Sequence, residues 1–168
     1  MKFYSLPAAT AALAVAAFIG ALPATVLAGK AEETNGELRL TPAEFDFASA
    51  AAGGTGTSGV AGIRTVVLKG DPARDGLYTI MLRVPPNTRI EAHDHPDERV
   101  ATVVSGTWRL GYGDRFDATK LKALPPGSFY TEPAGRAHFA QTGSAPVVLH
   151  ITGVGPSGLR YTRAKAGP

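Results

Sequence analysis
From Arg64 onward the chain is a succession of short, β-branched segments, each bounded by Gly, Pro or Asp. Residues 77–84 carry the clearest pattern. Tyr78, Ile80, Leu82 and Val84 alternate with Thr79, Met81 and Arg83, the two-residue period of a strand buried on one face. Pro85-Pro86-Asn87 then breaks it. Residues 65–69, 100–104, 108–112, 129–131, 138–142 and 147–152 are further strand candidates, and no window of helical periodicity competes with them. Strands this short and this evenly spaced, with no helices between them, predict an antiparallel sandwich or barrel.

What precedes that run is different in kind. No charge occurs between Lys2 and Lys30, and residues 8–22 are almost wholly apolar before Pro23. Val26-Leu27-Ala28 then offers small residues where a signal peptidase reads them. One basic residue, an apolar centre and a small-residue cleavage site predict a secretory signal over residues 1–28, cut after Ala28, and a secreted or periplasmic protein free of the membrane after cleavage. Pro7 and Pro23 make the competing reading, a retained membrane anchor, a weak helix. The leader has no paired arginines and no Cys, so nothing in it suggests export in a folded state or a lipid anchor. Residues 29–63 follow as an N-terminal arm and linker. The stretch 47–63 is mostly Ala, Gly, Ser and Thr and is expected to be a flexible connector. The barrel is expected over residues 64–155 and a C-terminal tail over 156–168.

Composition excludes several chemistries. The apolar share of 44% is inflated by the leader, where 21 of the first 28 residues are apolar. No Cys is present, which removes disulfide scaffolds, thiolate zinc sites and cysteine nucleophiles. The net charge is only +3, and the arginines are scattered singly among acids and turns rather than gathered on one face. A nucleic-acid partner is therefore excluded. Gly53-Gly54-Thr55-Gly56 lacks a following Lys-Ser/Thr and a helix, so it is no phosphate loop, and no serine sits in a nucleophile-elbow context.

Chemistry concentrates in the histidines, of which there are four. His93 and His95 are spaced i, i+2, so on a strand both project from one face and can converge on one ion. Alone, such a pair is as well explained by two outward imidazoles. His138 follows the turn Pro133-Ala134-Gly135, which reverses the chain and delivers it to a separate strand. A third imidazole from there would complete a set of three nitrogen ligands with positions left open, the arrangement of a catalytic metal site. His150 lies outside both signatures and reads as an ordinary core or surface histidine. Tyr78, Trp108, Tyr112, Phe129 and Phe139 could line a pocket, although core packing is the plainer role for each. Arg89, Arg99 and Arg136, close to the histidines in sequence, could clamp a substrate carboxylate or simply lie exposed.

These residues resemble the two motifs of the cupin superfamily, G-x5-H-x-H-x3,4-E-x6-G and G-x5-P-x-G-x2-H-x3-N. The second is met without a gap from Gly127 through Pro133 and Gly135 to His138, and the resemblance covers about residues 64–155. It departs in three places. Counting back from Gly106, the Glu position falls on Arg99, and the acid is Glu98, one place early. Neighbouring strand residues face opposite ways, so Glu98 is either a solvated rim carboxylate paired with Arg99 or, if a bulge beside Pro96 turns it, a ligand. Thr142 stands at the Asn position, which concerns hydrogen bonding at the strand end. Asn87 stands at the opening Gly, a residue able to take the same turn conformation.

The resemblance implies an all-β, double-stranded antiparallel barrel of the jelly-roll type. It also implies one divalent transition metal (Fe, Mn, Ni, Cu or Zn) held by His93, His95 and His138 with or without Glu98. The expected activity is metal-dependent oxidation of a small organic substrate, of the dioxygenase type, with Glu98 as catalytic base. The alternative is a metal-assisted module that binds or senses a small ligand without converting it. A homodimer formed through an edge strand is the expected assembly.

Overall fold
The computed structural model describes residues 36–50, 53 and 55–162. The expected signal segment (residues 1–28) lies outside the described residues, as do residues 29–35, 51, 52, 54 and 163–168. Ten strands follow in order: β1 (Arg64–Lys69), β2 (Gly76–Val84), β3 (Arg89–Asp94), β4 (Arg99–Ser105), β5 (Trp108–Tyr112), β6 (Lys122–Leu124), β7 (Phe129–Glu132), β8 (His138–Gln141), β9 (Val147–Gly155) and β10 (Arg160–Tyr161). They form two five-stranded antiparallel sheets, ordered β1-β2-β9-β4-β7 and β10-β3-β8-β5-β6. The expected all-β double-stranded barrel is the observed architecture. Among the described residues no helix is long and apolar enough to cross a membrane.

The alternation seen in the sequence becomes the inner wall. Tyr78, Ile80, Leu82 and Val84 of β2 are all buried, as are Val147, Leu149, Ile151 and Gly153 of β9. Ala101 and Val103 of β4 extend that wall beside β9, and Trp108 and Leu110 of β5 pack against it from the other sheet. Two tight positions set the corners. Asn87 does adopt the left-handed region, with φ 54°. Gly106 has φ 77°, and a Cβ there would stand 2.4 Å from the carbonyl oxygen of Pro146. Thr142 closes the same end. Its hydroxyl accepts from the Thr88 N–H (2.8 Å) and donates to the Pro85 carbonyl (2.7 Å), the strand-end role expected of it.

The barrel reaches beyond residues 64–155 on both sides. Ile63, Thr57, Ser58 and Ser157 are buried, and β10 pairs with β3. Arg99 donates to the carbonyl of Gly56 (2.7 Å) and the Tyr161 hydroxyl to that of Ser58 (2.6 Å). Residues 55–58 are thus a packed cover rather than a free connector. Thr57 and Ser58 are buried here, and the carbonyls of Gly56 and Ser58 satisfy donors that arrive from distant strands.

Candidate metal centre
The histidine pair owes its orientation to an irregularity that lies ahead of it. β3 and β8 pair Ile90 with Ala140 and then His93 with His138, so β3 holds one extra residue between Ile90 and His93. In an uninterrupted strand Ile90 and Ala92 would point inward and His93 outward. The bulge moves the inward positions to odd numbers, and they stay odd: His93, His95, Asp97, Arg99, Ala101 and Val103 are all buried. His138 begins β8 directly opposite His93.

One ligand atom from each of His93, His95 and His138 lies within 4.8 Å of the others. Ring centroids are separated by 4.4 Å (His93–His138), 5.1 Å (His93–His95) and 5.4 Å (His95–His138), and none of the three residues is more than 3% exposed. Each Nδ1 faces a backbone carbonyl: Glu91 at 2.7 Å for His93, Gly158 at 2.5 Å for His95 and Arg136 at 3.3 Å for His138. A carbonyl only accepts, so the proton belongs on Nδ1 and each Nε2 keeps its lone pair. The His95 Nε2 is buried with no hydrogen-bond partner. Burial holds His93 down to about 4, with His138 beside it adding to the effect. Burial and then the Arg99 guanidinium hold His95 down to about 3. Both rings are neutral at pH 7, the state in which imidazole ligates. Three oriented, desolvated imidazoles are a donor set that fits a divalent transition metal.

The structure brings three of the four expected site residues together and leaves Glu98 out. Glu98 is exposed, as even-numbered parity on this stretch dictates, between the buried Asp97 and Arg99. The carboxylate beside the histidines is Glu132, buried on β7 with 4% exposure. Its Oε1 stands 3.6 Å from the His138 Nε2 and its Oε2 4.0 Å from the His95 Nε2. Arg99, paired with Glu132 across β4 and β7, donates from its Nε and a terminal nitrogen to that Oε2. Burial alone would raise the Glu132 carboxyl; the Arg99 guanidinium, with His138 and His95, overcomes it and brings the value down to about 2. The residue at the family's Glu position is therefore an inward cation, and the acid comes from the strand alongside. One signal for this lay in the sequence, an acid immediately before Pro133 in the second motif. The register that pairs it with Arg99 did not.

The other candidates take quieter places. His150 is half-buried on the outward side of β9, opposite Met81 and Thr102. Tyr78 lies in the core, its hydroxyl donating to the Asp97 Oδ2 at 2.6 Å. Phe139 is wholly buried beneath Phe116, which Arg89 caps in turn at 3.8 Å from the ring centre. Arg136 is exposed.

No family model matches the sequence, and no curated protein is similar to it. Solved structures are similar in fold. The DMSP lyase DddQ from Ruegeria pomeroyi DSS-3 aligns with 77% of this chain and 62% of its own, at 19% identity and a TM-score of 0.54. The polyketide cyclase RemF from Streptomyces resistomycificus aligns with 62% of this chain and 73% of its own, at 20% identity and 0.53. A chain from the crystal structures of the DMSP lyases RdDddP and RnDddQII aligns with 60% of this chain, at 20% identity and 0.51. The chain spans about half the length of that last protein, 53%. Two antiparallel five-stranded sheets closed over an inward histidine cluster give this chain a double-stranded β-barrel, the fold that its resemblance to the cupin superfamily implied, and in fold it is similar to these proteins.

Proposed function
We propose that this protein is an exported mononuclear-metal enzyme that oxidises a small organic substrate in a dioxygenase-type reaction. The observation that carries the reading is the histidine cluster, with three Nδ1 atoms facing carbonyls and one ligand atom from each ring within 4.8 Å of the others. A divalent transition metal bound there would supply Lewis acidity toward a substrate oxygen and, if redox-active, a route for electrons between substrate and O2. The protein's own contributions can be named. His93, His95 and His138 would hold the ion. Glu132, kept ionised by Arg99, turns its Oε1 toward the histidines and can accept a hydrogen bond from a substrate hydroxyl, which orients it. Burial keeps bulk water away from all of them. Imidazole ligands carry no negative charge and the Glu132–Arg99 pair is mutually neutralised, so the charge of a dication stays uncompensated and the site favours an electron-rich oxygen on its ligand.

A second reading rests on one observation. A general base works best with a pKa near the working pH. Glu132, at about 2, is far from it. A module that holds a small ligand without converting it would have just such a fixed anion. Turnover separates the two. The processed protein, loaded with Fe, Mn, Ni, Cu or Zn, is expected to retain one ion per chain and to consume O2 with a phenolic, dicarbonyl or small organic acid substrate. Metal without turnover supports the binding module. Neither a retained ion nor a thermal shift with any of these metals overturns both. Export and cleavage after Ala28 belong to the same proposal, and the mass of the mature chain tests them. So does pairing of two copies through an edge strand such as β1, which light scattering tests.

A further inference from the structure
We infer that the gap between β7 and the β5–β6 pair binds a small carboxylate with an apolar body, its carboxylate on Lys122. The histidines are closed off at their own end of the barrel. There Gly158 bonds His95, the Tyr161 ring lies 5.6 Å from that of His93, and Gly56 and Ser58 bond Arg99 and Tyr161. The flank is different. β6 and β7 are the terminal strands of their two sheets, and between them lies a cavity of about 310 Å³ lined by Leu110, Tyr112, Lys122, Leu124, Phe129, Tyr130 and Thr131. An apolar cavity of roughly 150 Å³ already accepts benzene, so this one holds a ring together with a side chain.

One charged group stands in this apolar lining. Lys122 pairs with the inward Leu110 across β5 and β6 and so shares its face, and it forms no salt bridge among the described residues. The Tyr130 ring lines the cavity while its hydroxyl is buried beside Trp108. Lone cations on apolar walls select anions, and an apolar pocket with a few placed polar groups is the usual form of a small-molecule site. The cavity lies beside the candidate metal centre in the register. Tyr130 precedes Glu132 by two residues on the same inner face of β7, a separation of roughly 6–7 Å along a strand. Tyr112 stands opposite His138 in the register. A carboxylate seated on Lys122 lays its apolar body on Leu110, Leu124 and the Tyr130 ring. Carboxylate binding stands on the cavity alone; its being the substrate rests on the proposed enzyme function.

The test titrates the full processed protein with 3-phenylpropionate and with its uncharged analogue 3-phenylpropanamide, measuring heat of binding, with bound metal assayed in parallel. The acid is expected to bind at least about ten times more tightly than the amide, the size of one charge-assisted hydrogen bond. Lys122→Met is expected to erase that preference, with metal content unchanged. Lys122 is exposed, so its replacement leaves the fold intact. Equal affinity for acid and amide, or a preference that survives Lys122→Met, overturns the inference. The same acid preference in a His93→Ala variant without metal supports the carboxylate site even if the enzyme reading fails.

Discussion

The two halves of the barrel interior are built from the same strands and do opposite things. β2 contributes Tyr78 at one end and Val84 at the other; β4 contributes Arg99 and then Val103; β9 runs from Val147 to Gly153. One half holds His93, His95, His138, Glu132 and Arg99, and the other is filled by Leu82, Val103, Trp108, Leu110, Leu124 and Leu149. Site and stabilising core are thus segregated along the strands rather than among them. The apolar half can tolerate a polar neighbour because every buried charge there meets a partner in its own half. Gly153 shows how closely the polar half is fitted. A Cβ on it would stand 2.6 Å from the Tyr78 hydroxyl and 2.9 Å from the Asp97 Oδ2.

The sharpest way to break the division is to unpair the buried charges. Arg99→Met leaves Glu132 buried without its counter-ion, and breaking a buried pair costs about 3–5 kcal/mol. Denaturant titration is expected to show that loss, and Arg99→Met with Glu132→Leu is expected to recover most of it. No recovery would mean that Arg99 stabilises through packing rather than charge. Truncation in the apolar half comes next. Leu149→Ala is expected to cost about 2–5 kcal/mol by the same titration while leaving metal content at one ion per chain. A parallel loss of metal would mean that the halves are mechanically coupled.

His138→Ala should do the reverse. Removing a ligand is expected to weaken metal binding at least about a hundredfold, more than the 10–100-fold typical of an outer hydrogen bond. Competition with a chelator measures it. Acid then tests the polar half alone. His93 and His95 titrate at about 4 and about 3 in the folded protein, below the ordinary 6.5. From pH 6.5 downward the unfolded chain therefore binds protons that the folded chain refuses. Stability is full above pH 6.5 and declines toward pH 3, by at most about 1.4 kcal/mol per pH unit for each histidine. Glu132, held at about 2 against its ordinary 4.5, adds to the loss below pH 4.5. A flat stability between pH 4 and 6.5 would remove both histidines from the desolvated interior. The smallest effect is expected at Glu98→Ala. An exposed position away from special features changes stability by no more than about 0.5 kcal/mol, and metal content should not change.

The histidines and the barrel were legible because both are local. Alternation in residues 77–84 is a property of one strand, and the run from Gly127 to His138 holds turn and ligand within twelve consecutive residues. The displaced acid was not legible. Parity correctly turned Glu98 away, but the carboxylate that replaced it sits on β7, thirty-three residues beyond its partner Arg99. Residues 55–58 and 157–161 misled for a similar reason. Short, small and polar segments carry no pattern of burial; their carbonyls matter only once Arg99, His95 and Tyr161 have been brought to them.

The sequence by itself determined an all-β barrel, three histidines at ligand spacing and, through the lack of Cys, the exclusion of thiol chemistry. These follow from side-chain periodicity, turn residues and composition, which act over a few neighbours. Only the tertiary structure decided that one extra residue before His93 points the pair inward, that Glu132 rather than Glu98 faces the cluster, and that Lys122 and Tyr130 share a cavity between two sheet edges. Each of these depends on register between strands far apart in the chain, and a one-residue slip in any of them would send the side chain to the opposite face.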